Sequence, residues 1–391
     1  MRILIAHNRY RSDQPSGENA AVEAEIGQLT AAGVEVRAFL PDSDGIAGLP
    51  AAGKLGVAAG PVLNPSGIRE LTRLIGEFRP DVLHLHNVFP LISPWAVRAA
   101  RAGGVPVVQT VHNYRHSCVA GLRYRAGAPC DACVGRRIVL PAVRHGCYRG
   151  SRLQSTAMAL GHLVHRGTWR SVDRFLAVSP LLRRELLGLG VPADRIVLRP
   201  TSVPDPGPPT PLGRHVLFAG RLDDMKGAAL LLSAWCQADP PPGARLRIAG
   251  DGPAADRLHR LAEPAQRVDL LGLLPPAEVE AELRAAALVA IPSLWYEGGP
   301  RIYVQALAAG RPVLATDVGS LADVGELGIG WAVPPRAGAL AAGLAVLHDR
   351  DALRRRGERA RSRYLAEHGQ ARSLDLLLAV YQAVAGTAPS G

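Results

Sequence analysis

No apolar run in the sequence reaches the eighteen or so residues that a membrane-spanning helix needs, so a helical integral membrane protein is excluded. Aromatic residues make up only 5%, and no helical stretch carries a long continuous basic face. Little is therefore available for stacking on bases, and nucleic acid is not an expected partner. The first residues, MRILIAHNRYRSD, hold a strand-length apolar run but neither a long apolar core nor a small-residue cleavage site. A cytoplasmic location is expected on that ground. Lysine is almost missing: of 45 basic residues only Lys54 and Lys226 are lysines. Acidic residues are also in deficit, which leaves a net charge of +11. Such a balance suits an acidic partner, and an anionic membrane surface is favoured over nucleic acid.

What is present describes a globular protein, with 391 residues, 48% of them hydrophobic, enough for two or three domains. In the first half, ILIAH (3–7), VEVRAFL (34–40), DVLHLHN (81–87), VPVVQTVHN (105–113), RFLAVS (174–179) and RIVLRP (195–200) read as strands. Amphipathic stretches such as NAAVEAEIGQLTAAG (19–33) and SPWAVRAARAGG (93–104) separate them, which predicts βαβ units and a parallel sheet covered on both faces. Residues 200–213, PTSVPDPGPPTPLG, read as a stiff linker. The alternation then resumes with HVLFAG (215–220), ARLRIAG (244–250), VDLLGLL (268–274), LVAIPS (288–293), PVLATD (312–317) and GWAVP (330–334). Charged helices around 336–365 and 371–386 follow.

In GRLDDMKG (220–227), Arg221 and Lys226 lie in a turn between a strand and the helix AALLLSAWC (228–236). Ligands of open α/β sheets bind at such turns. Two cations there suit a phosphate-rich ligand, since arginine forks two oxygens and lysine adds a point charge. The plainer reading is a solvated cap in which Lys226 neutralises Asp223 and Asp224. A second stretch, PSLWYEGGPRIYVQALAAG (292–310), favours the ligand. Gly298 and Gly299 let backbone amides approach it, Pro300 suits a first helical turn, and a helix N-terminus favours anions. Glu297 beside an anion site makes sense if it bonds hydroxyls of the same ligand, as a sugar nucleotide would supply.

At this point the sequence resembles the retaining GT-B glycosyltransferases of family 4 over nearly its whole length. GRLDDMKG matches the family's Arg and Lys on the donor diphosphate, and IAGDGP (248–253), with Gly250 and Gly252, matches its glycine-rich turn. Glu297 matches the first glutamate of its E-x7-E signature, and PSGENAAVEAEI (15–26) resembles its loop before the first helix, with Gly17 near the phosphates. His112 matches its histidine on the donor sugar. The second signature glutamate is replaced by Gln305, which accepts a hydrogen bond without charge assistance, so altered nucleotide binding is expected.

The resemblance implies an α/β GT-B fold, two doubly wound Rossmann-like domains facing across a cleft. An acceptor domain (1–200) would carry a Cys-rich insertion at 114–150, and a donor domain would span 205–370. A last helix at 371–391 would cross back to the first domain. It also implies a retaining, metal-independent hexosyl transfer from a UDP- or GDP-sugar to a glycan, a lipid-linked acceptor or a small molecule. Cell-surface polysaccharide or glycolipid assembly at the inner membrane face is the first expectation, and natural-product tailoring the second. Taken alone, His112 could merely cap a strand, Glu297 merely favour a helix dipole, and Gly17 merely serve a turn. The DSD at 42–44 imitates a metal-binding pair but reads as a polar loop. A nucleotide-sugar epimerase or a non-catalytic binding protein remain the rival functions.

Cys118, Cys130, Cys133 and Cys147 are spaced as C-x11-C-x2-C-x13-C, which suggests a structural zinc, with His116 or His145 as substitute ligands. Reduced, unliganded thiols are the alternative, and Cys236 is expected to be buried in a helix. The insertion is rich in arginine (Arg115, Arg123, Arg125, Arg136, Arg137, Arg144, Arg149), which predicts a basic lobe that meets an anionic acceptor or a lipid headgroup.

Overall fold

The computed structural model describes residues 1–12 and 16–386. Pro15 of the loop before the first helix and residues 387–391 lie outside them. The chain falls into two compact units, Met1–Arg123 with Asp131–Arg199 and Leu374–Gly391, and Tyr124–Cys130 with Pro200–Ser373.

The first unit is built on a six-stranded parallel sheet. Its strands are β1 (Arg2–Ala6), β2 (Glu35–Phe39), β3 (Val82–Leu85), β4 (Val107–Val111), β7 (Arg174–Ala177) and β8 (Ile196–Leu198), in the order β2-β1-β3-β4-β7-β8. Strands β3 and β4 are buried at every residue, as central strands between two helical layers are. Strand β2 is an edge strand and largely exposed. The covering helices are α1 (Gly17–Ala31), α2 (Ala51–Ala59), α3 (Pro65–Phe78), α4 (Trp95–Ala102), α5 (Leu140–Arg144), α6 (Arg152–His165) and α7 (Pro180–Gly188). Side-chain caps fix several of their starts: Ser16, Asn64, Ser151 and Ser179 each accept a backbone N–H of the first turn. Leu377, Val380, Tyr381 and Val384, from the last helix α14 (Gln370–Ala385), pack into the same core as Ile3, Ile5, Val22 and Leu29.

The second unit repeats the plan. Strands β9 (His215–Ala219), β10 (Arg245–Ala249), β11 (Val268–Gly272), β12 (Ala286–Ile291), β13 (Val313–Thr316) and β14 (Gly330–Val333) form a parallel sheet in the order β11-β10-β9-β12-β13-β14. One apolar cluster, with Leu231, Trp235 and Leu340, packs against Val216 and Leu246. A second, with Val304, Leu307 and Tyr364, packs against Leu217 and Val289. Alternate residues of a strand point to opposite faces, so one sheet feeds both clusters. The helices are α8 (Ala228–Gln237), α9 (Ala255–Ala262), α10 (Pro276–Ala285), α11 (Arg301–Ala308), α12 (Ala337–Leu344) and α13 (Arg350–Arg363). A two-stranded antiparallel hairpin, β5 (Tyr124–Arg125) and β6 (Ala128–Pro129), is the one strand pair inside the 114–150 insertion among the described residues.

In both sheets the order reverses beside the first strand of the unit, at β1/β3 and at β9/β12. Crevices at the carboxyl ends of strands at such reversals are where open α/β sheets bind ligands.

Candidate functional site

At the β9/β12 reversal, two loops are locked into one surface. Strand β9 runs through Gly220 and Arg221 into a tight turn at Asp224–Lys226, and Asp223 Oδ1 accepts the Lys226 N–H at 3.1 Å. Gly227 follows with φ 72°, and a Cβ there would stand 2.0 Å from Pro292 O, so only glycine lets the loop after β12 lie this close. Leu294 N donates to Met225 O at 2.7 Å and ties the loops a second time.

The charged groups of the two loops meet on this surface. Lys226 Nζ donates to Glu297 Oε1 at 2.7 Å, and Ser293 Oγ donates to the same oxygen at 2.6 Å. Glu297 is 3% exposed. The Lys226 ammonium also lies 5.3 Å from the Trp295 ring centroid. Arg221 Nε stands 3.6 Å from Asp223 Oδ2, with its side chain one-third open to solvent. Burial pushes the Asp223 carboxyl up, against the pull of Lys226 and Arg221. Lys226 is therefore not a cap for the two aspartates: its ammonium goes to Glu297, and Asp224 is held by Arg257.

Gly250 and Gly252 have φ of 145° and 154°, and Cβ atoms on them would stand 1.9 Å from Gly220 O and 2.6 Å from Leu222 O. Leu222 N donates to Asp251 O at 2.9 Å and Ala254 N to Leu222 O at 2.8 Å. These glycines thus seat a third loop on the Arg221 loop, which is reason enough for them. Gly298 is buried, Gly299 O accepts from Thr201 Oγ1 at 3.3 Å, and Pro300 caps α11, on which Gln305 is half-buried.

One residue here escaped the sequence reading. Arg301, the first residue of α11, is half-buried, makes no ion pair among the described residues, and has its pKa lowered by burial. A cation at a helix N-terminus meets an unfavourable dipole, and an anion in the same place would relieve it. The signal was an arginine directly after Gly298-Gly299-Pro300.

At the β1/β3 reversal, histidines converge from three strand ends. His112 follows β4, His86 follows β3 and His7 follows β1. His86 Nδ1 stands 2.9 Å from His112 Nε2, and His86 Nε2 stands 3.2 Å from Glu25 Oε1. Arg199 donates to the other Glu25 oxygen, while His84 stands 3.1 Å from Oε1 through Nδ1. His84 in turn bonds Tyr381 OH at 2.6 Å and Thr110 Oγ1 at 2.8 Å. Burial pushes the His86 and His112 pKa values down to about 4. For Glu25 burial acts upward, but Arg199, His84 and His86 outweigh it and hold the carboxyl well below its ordinary range.

These facts fix proton positions. The Glu25 carboxylate only accepts, so His86 carries its proton on Nε2 and offers a lone pair at Nδ1. His112 then donates from Nε2 and is left with a bare Nδ1, which can accept a hydrogen bond from a hydroxyl. Glu18, half-buried on α1, accepts from Tyr10 OH at 3.0 Å and from Asn113 Nδ2 at 3.3 Å. Burial acts upward on its carboxyl, but His112 and His7 lead in drawing it below its ordinary value. Gly17 is exposed in the first turn of α1 behind the Ser16 cap.

Two sequence signals for this network went unused. Residues two apart on a strand share a face, so His84 and His86 in DVLHLHN were bound to meet one neighbour. Glu25 shares the buried face of α1 with Val22 and Leu29, and a carboxylate there needs a partner.

Of the cysteine expectations, the burial of Cys236 is corrected. Glu25, His84 and His86 are the one group of three or more potential metal ligands brought within 4.8 Å of one another among the described residues. Cys118, Cys130, Cys133 and Cys147 do not form such a group in the ligand-free structure, and none of the five cysteines is in a disulfide. The expected substitute His116 is instead packed against Trp169 and Phe175, with its pKa lowered to about 3 by burial. Cys236 is exposed, because α8 buries Leu231, Leu232, Ala234 and Trp235 and turns Cys236 outward. In the DSD loop, Asp42 accepts from Asp44 N at 2.7 Å and Asp44 from Ser12 N at 3.0 Å, so both carboxylates serve the turn.

Comparison with known proteins follows the same division. A family model described as glycosyl transferases group 1 matches residues 213–350, and one described as a glycosyl transferase 4-like domain matches residues 16–201. The chain is 27% identical to the phosphatidyl-myo-inositol mannosyltransferase of Mycobacterium leprae (strain TN) over 403 residues, 96% of this chain and 95% of that protein. In fold it is similar to sucrose-phosphate synthase from Thermosynechococcus elongatus, with a TM-score of 0.72, 18% identity and 98% of both chains covered. It is also similar to HepE of Anabaena, solved in complex with UDP, with a TM-score of 0.67, 16% identity, and 98% of this chain and 100% of that one covered.

Proposed function

Since the chain belongs to the group 1, family 4 glycosyltransferases, two parallel-sheet Rossmann-like domains of the GT-B type, we propose that it moves a sugar from a nucleoside-diphosphate sugar to an acceptor hydroxyl with retention of configuration. The observation that carries this is the Lys226 ammonium, held by Glu297 at 2.7 Å in the loop that also bears Arg221, at the β9/β12 reversal. Arg221 and Lys226, with Arg301 as a third cation, would hold the diphosphate and stabilise its charge as the anomeric bond breaks. In that role they supply what a divalent ion otherwise supplies, and the reaction is proposed to need none.

Glu297 has two tasks in this reading, to aim Lys226 and to bond sugar hydroxyls with its remaining lone pairs. His112 accepts a hydrogen bond from a sugar hydroxyl at Nδ1 and stays neutral throughout. The leaving phosphate oxygen takes the acceptor proton on the face from which it departs, which is how configuration is kept. Gly17 at the start of α1 and the Gly298-Gly299 amides are proposed phosphate contacts, and Gln305 a ribose contact.

A UDP-sugar is the first choice of donor, because the structurally similar HepE was solved with UDP. A lipid or glycan acceptor is favoured by the near full-length match to a phosphatidyl-myo-inositol mannosyltransferase. The test is a panel of UDP- and GDP-sugars scored by thermal stabilisation, then by transfer with wild type and Lys226→Ala. Stabilisation by a donor and loss of transfer in the variant are expected. Stabilisation by none would overturn the reading.

Gln305, where the family signature has glutamate, favours one second reading, a donor-binding protein without turnover. Transfer absent from wild type and present in Gln305→Glu would establish it.

A further inference from the structure

The first unit exposes apolar side chains on neighbouring helices that no element of the chain covers among the described residues. On α6, Leu153 is 78% exposed, Leu160 50% and Val164 42%. Their spacing of seven and four puts them on one stripe, opposite the buried Ser155, Met158 and His165. The inner face of α6 is fixed: a Cβ on Gly161 would meet Pro61 O at 2.5 Å, and His165 Nε2 bonds Val62 O at 2.9 Å. The stripe therefore cannot roll inward. Helix α2 packs beside α6, buries none of its nine residues fully, and exposes 71% of Leu55. Helix α5, which also packs on α6, exposes 64% of Leu140, next to Ile138 at 66%.

The charge around this surface has one sign. No aspartate or glutamate occurs between Asp131 and Asp173, or between Asp44 and Glu70. Those two stretches supply all three helices. Lys54, Arg136, Arg137, Arg144, Arg152 and Arg166 are exposed in them and form no ion pair among the described residues. Elsewhere some exposed arginines do find carboxylates, as Arg73, Arg245 and Arg354 do.

We infer that the outer faces of α2, α5 and α6 dock on an anionic lipid bilayer. Leucines enter the headgroup boundary while the long arginine stems let guanidinium groups reach phosphates. A second copy of the chain fits poorly, because a self-contact would bring these arginines against their equivalents. The helices lie on the surface and do not cross it: no helix among the described residues is long and apolar enough to span a membrane. The inference stands on the first unit's surface and does not need the donor site to work as proposed.

The test is sedimentation of the full chain with vesicles of phosphatidylcholine alone and of phosphatidylcholine mixed with phosphatidylglycerol. Wild type should bind the mixed vesicles, less so as salt rises, and bind the neutral ones at least about tenfold more weakly. Leu153→Asp with Leu160→Asp, and separately Arg152→Glu with Arg166→Glu, should each weaken binding about tenfold or more while keeping the wild-type melting temperature. Equal binding to both vesicle types, or variants that bind like wild type, would overturn the inference. So would a leucine variant that changes oligomeric state in solution but not vesicle binding, since the face would then serve a second copy.

Discussion

His86 Nδ1 and His112 Nε2 share one proton across 2.9 Å, and it is Glu25, beyond His86, that decides which of them holds it. Replacing His86 by phenylalanine keeps an aromatic ring but frees the His112 tautomer. A fall in kcat of about tenfold is expected, the lower end of what outer hydrogen-bond partners contribute at metal-bound histidines. Donor KM should move little. Equal loss from Glu25→Gln, with the fold retained by circular dichroism, would support one connected chain.

The same buried groups make the first unit sensitive to acid. His86 and His112 titrate near 4 in the folded chain against an ordinary value of 6.5, so between those values the unfolded chain binds more protons. Stability is therefore complete above about pH 6.5 and falls as pH drops toward 4. Glu25 adds a further loss in the same direction as its depressed pKa is approached from above. A fall in melting temperature of about 5 °C or more from neutral pH to pH 5 is expected by calorimetry. A flat profile would mean these histidines are not neutral and buried as described.

Lys226 and Glu297 should show coupling in stability as well as activity. Lys226→Met leaves the Glu297 carboxylate with Ser293 alone, and a loss of about 1–2 kcal/mol is expected after allowing for the partial exposure of Lys226. In Glu297→Gln the second loss should shrink. A double-mutant cycle by denaturant unfolding checks this, and simple additivity would speak against the pair.

Gly250→Ala tests whether glycine is needed for packing or for ligand approach. With φ 145° and Gly220 O only 1.9 Å from a built Cβ, the variant should lose about 1–3 kcal/mol without any nucleotide present. Unchanged unfolding with weakened donor binding would assign the glycine to the ligand instead.

Gln305→Glu restores a charged acceptor on α11. Donor affinity is expected to rise several-fold, measured by titration with UDP- and GDP-sugars, if Gln305 lies on the ribose. No change would place it elsewhere.

All six main strands of each unit were legible, most of them because parallel strands buried on both faces leave runs rich in apolar and β-branched residues such as VPVVQTVHN and LVAIPS. The cation loop was legible too, since Arg221 and Lys226 follow a strand that could only end at the sheet's carboxyl edge. Partnerships were not. Lys226 has two aspartates within three positions, yet its ammonium reaches Glu297, seventy-one positions away. Sequence neighbours show what is nearby along the chain, and loop packing decides what is nearby in space. Cys236 teaches the same point, for an apolar helix pattern does not say which of its residues faces the core, and Cys236 is exposed.

The most direct measurement is the affinity of nucleoside diphosphate, UDP and GDP each, beside that of the matching nucleoside, for wild type and for Lys226→Ala and Arg221→Ala. With the diphosphate held by these two cations, each variant should bind the diphosphate about tenfold or more weakly and the nucleoside unchanged. Variants that keep wild-type affinity for the diphosphate would contradict it, whatever their transfer activity.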